Sequence, residues 1–371
     1  MRMSLQHRPV VTLFAGCVTI AIVLAAKASW AASGTWSATA DLRVVQGPNT
    51  ATLLQDGRVL VVGQSQDWRV PMAAEIYDPV SATWTPQAAP IRRRYNFAAT
   101  LLPDGRVLFV GGDALDGYKT ADTFDPATGN WAATGDLNVP RWNGRVAALA
   151  DGRVLIAGGS RPPSIDPLQD AEVYDPATGT WTVTGSMVIG FPWFTMTTLR
   201  DGTILAAGGG YDDVKSQLYD PVTGTWSQSG DMTQAQVGFT LTALLDGRAF
   251  AIGGPETHHL YDPVSRTWRL TGTPPAVDPL TTATLLQDGT VLVAGTNYCC
   301  SPGSAVFDPS SESWGTTGSL VQRPRQHHSA VLLNDGTVLV VGGYYEGPPC
   351  DEGTCTIYDL KSAEIFRLQG A

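Results

Sequence analysis

The 371 residues carry 34 acidic against 24 basic side chains, a net charge of −10, which argues against nucleic acid or an anionic membrane surface as a partner. Gly (40), Pro (25) and Trp (11) are abundant while Lys and Glu are scarce, which excludes a helix-rich chain and points to many short strands joined by tight turns.

At the start, Arg2 and Arg8 precede an apolar run from Val10 to Ala26, followed by the small-x-small pattern Ala26-Lys27-Ala28. Residues 1–28 are expected to form a signal peptide cleaved near Ala28, leaving residues 29–371 as one secreted or periplasmic domain. The run approaches the roughly 20 residues that span a bilayer, so an uncleaved anchor is the alternative. Removing this leader leaves 21 basic against 34 acidic residues, a net charge of −13. Outside it stand Cys299, Cys300, Cys350 and Cys355, an even number that suggests disulfides in an exported protein. Three pairings are open. Cys350 with Cys355 closes one short Gly/Pro-rich loop and is the preferred bridge, with Cys299 and Cys300 as a vicinal pair or free thiols.

From residue 56 onward the chain repeats itself seven times. Asp-Gly pairs open at Asp56, Asp104, Asp151, Asp201, Asp246, Asp288 and Asp335, spaced 42 to 50 residues apart, the period of propeller blades. An aromatic-Asp pair follows each, at Tyr77, Phe124, Tyr174, Tyr219, Tyr261, Phe307 and Tyr358, and in six blades a Trp stands seven residues later: Trp84, Trp131, Trp181, Trp226, Trp268 and Trp314. Asp-Gly between apolar runs tolerates the positive φ of a two-residue hairpin turn, so it joins the first and second strands of a blade. The run after it is apolar throughout, as a strand covered on both faces should be, and the strand before it alternates. Asp-Pro after the aromatic stops the third strand, and the Trp supplies buried area between blades. Trp36 precedes Asp56 by 20 residues, the interval from Trp84 to Asp104, so it is in frame. Ile365 stands where the seventh blade needs its Trp. The N-terminal strand around Trp36 is therefore expected to supply that blade's outer strand, the competing arrangement being residues 363–368 in that slot. The fold expected is all-β: a seven-bladed β-propeller of four-stranded antiparallel blades, the ring closed by the N-terminal strand.

This pattern resembles the Kelch repeat, in the bacterial form grouped with galactose-oxidase-like propellers. The resemblance implies the propeller fold and leaves activity open, because propellers host unrelated functions.

Apart from one extra residue between Trp314 and Asp335, the repeat length varies only between the second strand and the aromatic: six residues separate Gly254 from Tyr261 and fourteen separate Gly159 from Tyr174. In a four-stranded meander these segments emerge on the same face as the inter-blade connections, so that face is expected to carry function. The connections deliver Arg94, Tyr95, Arg141, Trp142, Trp193, Arg325, His327 and His328 to the mouth of the central channel. Guanidinium forks and rings there suit an anionic or sugar-like ligand; structurally, the same arginines could pair with loop acids such as Asp113 and Asp212 and the rings cap blade ends. Arg94-Tyr95 and Arg325 to His328 are similar to the places where galactose oxidase carries a copper-ligating tyrosine and a tyrosine-histidine pair, and Cys350 to Cys355 to where it has a close cysteine pair. His327 replaces the second tyrosine, Gln46 to Asn49 offers no cysteine for a thioether, and the C-terminal domain that adds a histidine ligand has no counterpart. Radical copper oxidation is therefore not expected, and no cofactor is assigned. Adjacent strand residues point to opposite faces, so neither His258-His259 nor His327-His328 chelates a metal unaided. The expected function is a binding or scaffold module for a carbohydrate or protein ligand, the alternative a galactose-oxidase-like or sugar-isomerising enzyme at the channel mouth. The sequence sets no oligomeric state.

Overall fold

Seven apolar runs, from Val59–Gly63 in the first blade to Val338–Val341 in the last, are buried along their whole length. Each becomes the second strand of a blade, clad on both faces by the neighbouring blades. The computed structural model describes residues 33–369 except 48, 65–70, 113–117, 209–213, 236–237, 254–257, 273–280, 296–302, 323 and 352–353, and leaves aside the side chains of 346–351, 354 and 355. The signal peptide expected at 1–28 and the Cys299–Cys300 pair lie outside these residues. So do the side chains of Cys350 and Cys355, whose backbones sit on paired strands beside the Asp351–Thr354 pair.

Seven four-stranded antiparallel sheets follow one another. Blade 1 runs Asn49–Leu53, Val59–Gly63, Ala73–Asp78, Thr83–Pro86, and blades 2 to 6 repeat that order over 98–133, 145–183, 195–228, 240–270 and 282–316. Blade 7 consists of Ser329–Leu332, Val338–Val341, Ala363–Gln369 and the N-terminal Ser33–Ala38. The inner strands touch in sequence around the ring, that of blade 7 meeting that of blade 1, where Ser329 Oγ donates to the Asn49 carbonyl at 3.0 Å. The core is correspondingly divided into seven apolar clusters, one at each blade interface. Among the described residues there is no helix.

The N-terminal strand closes the ring, and the register corrects one reading of the repeat. In six blades the aromatic that faces the Trp pairs with the first residue of the second strand, as Tyr77 does with Val59. In blade 7 that residue is Phe366, paired with Val338 and with Trp36, rings 5.2 Å apart. Tyr358-Asp359 instead belongs to a hairpin, Tyr344–Asp351 with Thr354–Asp359, that replaces the variable segment. Its Tyr345 and Tyr358 stack at 5.0 Å, so the local aromatic-Asp pattern arose from a hairpin contact rather than from the third strand. The strand spanning 363–368 is thus third, not outermost.

A second latch recurs between blades. The hydroxyls of Tyr77, Tyr174, Tyr219 and Tyr261 each meet a Thr or Ser hydroxyl of the preceding blade's exit, Thr39, Thr134, Thr184 and Ser229, at 2.6 to 2.9 Å. Buried phenols need a partner, and this one ties consecutive blades.

Candidate ligand site at the channel mouth

Three connections enter their inner strands alike: Arg94-Tyr95-Asn96-Phe97, Arg141-Trp142-Asn143-Gly144 and Arg325-Gln326-His327-His328. A long cation at the first position could reach the channel or turn into its own blade. It turns inward in all three. Arg94 Nη1 donates to the Gly111 and Thr120 carbonyls at 2.9 and 2.7 Å and Nη2 to Asp122 at 2.6 Å. Arg141 repeats this with Gly158, Asp170 and Glu172 at 3.1, 2.8 and 3.1 Å. Arg325 does so with Gly342, Ser362 and Glu364 at 3.1, 2.9 and 2.8 Å. All three guanidinium groups are buried, and that burial lowers their pKa below the ordinary arginine value while the carboxylates pull the other way.

The partner acids are not the loop residues expected from the sequence. Each stands two positions before the third-strand aromatic, a column running Glu75, Asp122, Glu172, Gln217, His259, Ala305, Glu364. The same carboxylates or amide also hold the incoming connection: Glu75 accepts the N–H groups of Arg43 and Val44, Glu172 those of Asn138 and Val139, Gln217 those of Val188 and Ile189, and Glu364 that of Val321 at 2.6 Å. The column is therefore a structural clamp joining connection, second strand and third strand. Its signal was present in the sequence as a polar residue inside an otherwise apolar strand.

The glycine pair after the second strand makes room for this. At Gly159, φ is +82° and an added Cβ would lie 2.2 Å from the Trp142 carbonyl, so the connection can lie directly on the strand end only because no side chain intervenes. Trp142 and Ser160 exchange both backbone hydrogen bonds there, and Gln326 and Tyr344 do the same in blade 7. The variable segments thus open beside the connections, on one face.

The remaining sequence candidates divide. Tyr95 and Trp142 are half-buried, with Trp142 edge-on to Tyr118 at 6.1 Å. Trp193 is 49 % exposed. His327 is exposed and stacks on Tyr344 at 5.1 Å. His328 is buried between blades 6 and 7, its Nε2 3.0 Å from Thr282 Oγ1, with burial first and the Arg325 charge second pushing its pKa down to about 3. Copper would need several such donors to converge. Tyr95 and His328 stand on different blades, His328 is turned into a blade interface, and among the described residues no three His, Cys, Asp or Glu side chains gather as metal ligands. Among the described residues, then, no donor set for copper is assembled.

One residue escaped the sequence reading. Arg145 opens the inner strand of blade 3, is exposed, and donates Nε to the Phe194 carbonyl at 2.7 Å. Asn143 lies two residues before it and bonds through its N–H to the Asn96 carbonyl at 3.3 Å. Trp193 adjoins Phe194. Asn96, Asn143, Arg145 and Trp193 are therefore tied together across blades 2 to 4 on the channel side. Farther out, an open pocket of about 540 Å³ lies between the blade 3 variable segment and the next connection, lined by Arg161, Asp166, Leu168, Gln169, Asp170 and Ile189.

The Kelch motif model matches residues 141–188, from the clamp arginine of blade 3 through its outer strand into the next connection. No curated protein matches the chain by sequence. Among solved structures, the chain is similar to one described as a novel fungal alcohol oxidase with catalytic diversity among the AA5 family, in complex with copper. The identity is 18 %, the TM-score 0.71, and the match covers 90 % of this chain and 76 % of that one. The chain is a seven-bladed β-propeller that carries a Kelch motif at residues 141–188, and its fold is similar to that of the copper-containing oxidase.

Proposed function

We propose that the protein is a binding or scaffold propeller whose ligand, a carbohydrate in preference to a protein, docks on the face bearing the variable segments, around the channel mouth. The half-exposed indole of Trp193, in the connection that enters blade 4, carries this reading, because an aromatic face open to solvent is a surface on which a sugar ring stacks. The inner strands of blades 4 and 5 open with Thr195 and Thr240, hydroxyl groups that hydrogen-bond a polyol in either direction, while an indole face covers a sugar's C–H surface. The signal peptide expected from the sequence at 1–28 supports a role outside the cytoplasm.

On a glycan array, wild-type protein is expected to give a defined set of signals and Trp193→Ala to weaken them at least about tenfold with an unchanged unfolding midpoint. Signals that survive Trp193→Ala would move the site elsewhere. The fold shared with a copper alcohol oxidase supports the rival enzyme reading, against which stands the absence of converging donors among the described residues. Purified protein is expected to hold no stoichiometric copper. Copper retained by wild type and lost in His328→Ala would overturn the binding reading.

A further inference from the structure

The seven inner strands, from Asn49–Leu53 to Ser329–Leu332, contain a single charged residue, Arg145. In a protein of net charge −10, a cation at the channel end of an inner strand with no acid paired to it among the described residues stands out, since Arg94, Arg141 and Arg325 are each committed inside the wall. Arg94, Arg141 and Arg325 each spend their fork on two carbonyls and a carboxylate. Arg145 spends only Nε, on the Phe194 carbonyl, and among the described residues neither terminal nitrogen has a partner and no acid pairs with it. That one bond fixes the plane of the guanidinium and leaves its two terminal NH2 groups free, the geometry in which arginine grips a carboxylate with two parallel bonds. The surrounding wall lowers its pKa by desolvation, with no carboxylate acting in the other direction, although the side chain itself is open to solvent. A guanidinium so placed gains more from an arriving anion than one already neutralised.

Resting on the carbohydrate reading above, we infer that Arg145 is the anchor for a carboxylate, and that the ligand of the channel mouth is an acidic sugar rather than a neutral one. Arg145 takes the carboxylate, Asn96, Asn143, Thr195 and Thr240 meet the hydroxyls, and Trp193 covers the ring. An acidic peptide would offer the same charge. The lining favours the sugar, because hydroxyl and amide groups surround the cation and no apolar pocket for a neighbouring side chain adjoins it among the described residues.

The test titrates wild type, Arg145→Gln and Arg145→Lys with sodium glucuronate and with glucose, by calorimetry and by the shift in unfolding midpoint. Wild type is expected to bind glucuronate about tenfold or more tighter than glucose, with the preference shrinking as salt rises. Arg145→Gln should bring glucuronate to the level of glucose, and Arg145→Lys should retain part of the preference, keeping the charge without the fork. Equal binding of the two sugars by wild type, or a preference untouched in Arg145→Gln, overturns the anchor even if the glycan array is positive. A poly-glutamate peptide that binds through Arg145 while both sugars fail overturns the sugar and keeps the cation as the site.

Discussion

Replacing Arg141 by Met is expected to lower the stability of the protein by about 3–5 kcal/mol, the range for breaking one side of a buried ion pair. Arg141 and Glu172 are both fully buried, and the guanidinium also satisfies the Gly158 and Asp170 carbonyls. Methionine fills much of the volume and none of the hydrogen bonds. It leaves Glu172 a buried charge held only by the N–H groups of Asn138 and Val139 and the Asn138 amide. The loss should be read from urea unfolding as a lower midpoint at unchanged slope. The double variant Arg141→Met, Glu172→Gln is expected to recover part of it, because the amide removes the stranded charge while keeping its carbonyl as acceptor. A single variant as stable as wild type would show that the clamp contributes nothing. Sugar binding, measured on folded Arg141→Met, should be unchanged, which separates the clamp from the channel mouth.

Acid should destabilise the fold well above the pH at which carboxylates titrate. His258 and His259 are buried, and burial lowers the pKa of each to about 4; for His258 the neighbouring His259 adds to the effect. His328 is pushed down further, to about 3. In the unfolded chain all three take up protons near pH 6.5. Between about pH 6.5 and 4 the unfolded state therefore binds more protons than the folded one, so stability is fully present above pH 6.5 and falls as pH drops. Each group contributes a loss of about 3 kcal/mol by pH 4. His258 is the sharpest probe. Among the described residues neither ring nitrogen has a hydrogen-bond partner, and the ring lies edge-on to Trp314 at 5.8 Å, at the interface of blades 5 and 6. His258→Phe is expected to flatten the fall in unfolding midpoint between pH 7 and 4.5 by about a third. An unchanged profile would mean that His258 is not buried neutral.

How much of this was legible depends on the range of the interaction concerned. Asp-Gly turns, all-apolar second strands and the aromatic-to-Trp interval are set within a few residues, and they fixed blade number, strand order and the closing role of Trp36. The same local logic failed in blade 7. Tyr358-Asp359 imitates the third-strand signal within an inserted hairpin, and only the pairing of Phe366 with Val338 and Trp36 distinguishes the two. At the channel mouth, sequence order brought Arg94, Arg141 and Arg325 to the right place and could not say which way they point. Direction was decided by Asp122, Glu172 and Glu364, some 28 to 39 residues later in the chain.

The sequence by itself determined the scaffold, seven repeats of a hairpin-forming code and a face where length varies, because strands and tight turns are specified by neighbouring residues. The tertiary structure alone decided that Arg94, Arg141 and Arg325 are spent inside the wall while the terminal nitrogens of Arg145 have no partner among the described residues. Burial and pairing of a charge depend on what the folded ring carries past it, and no window of the chain contains that information.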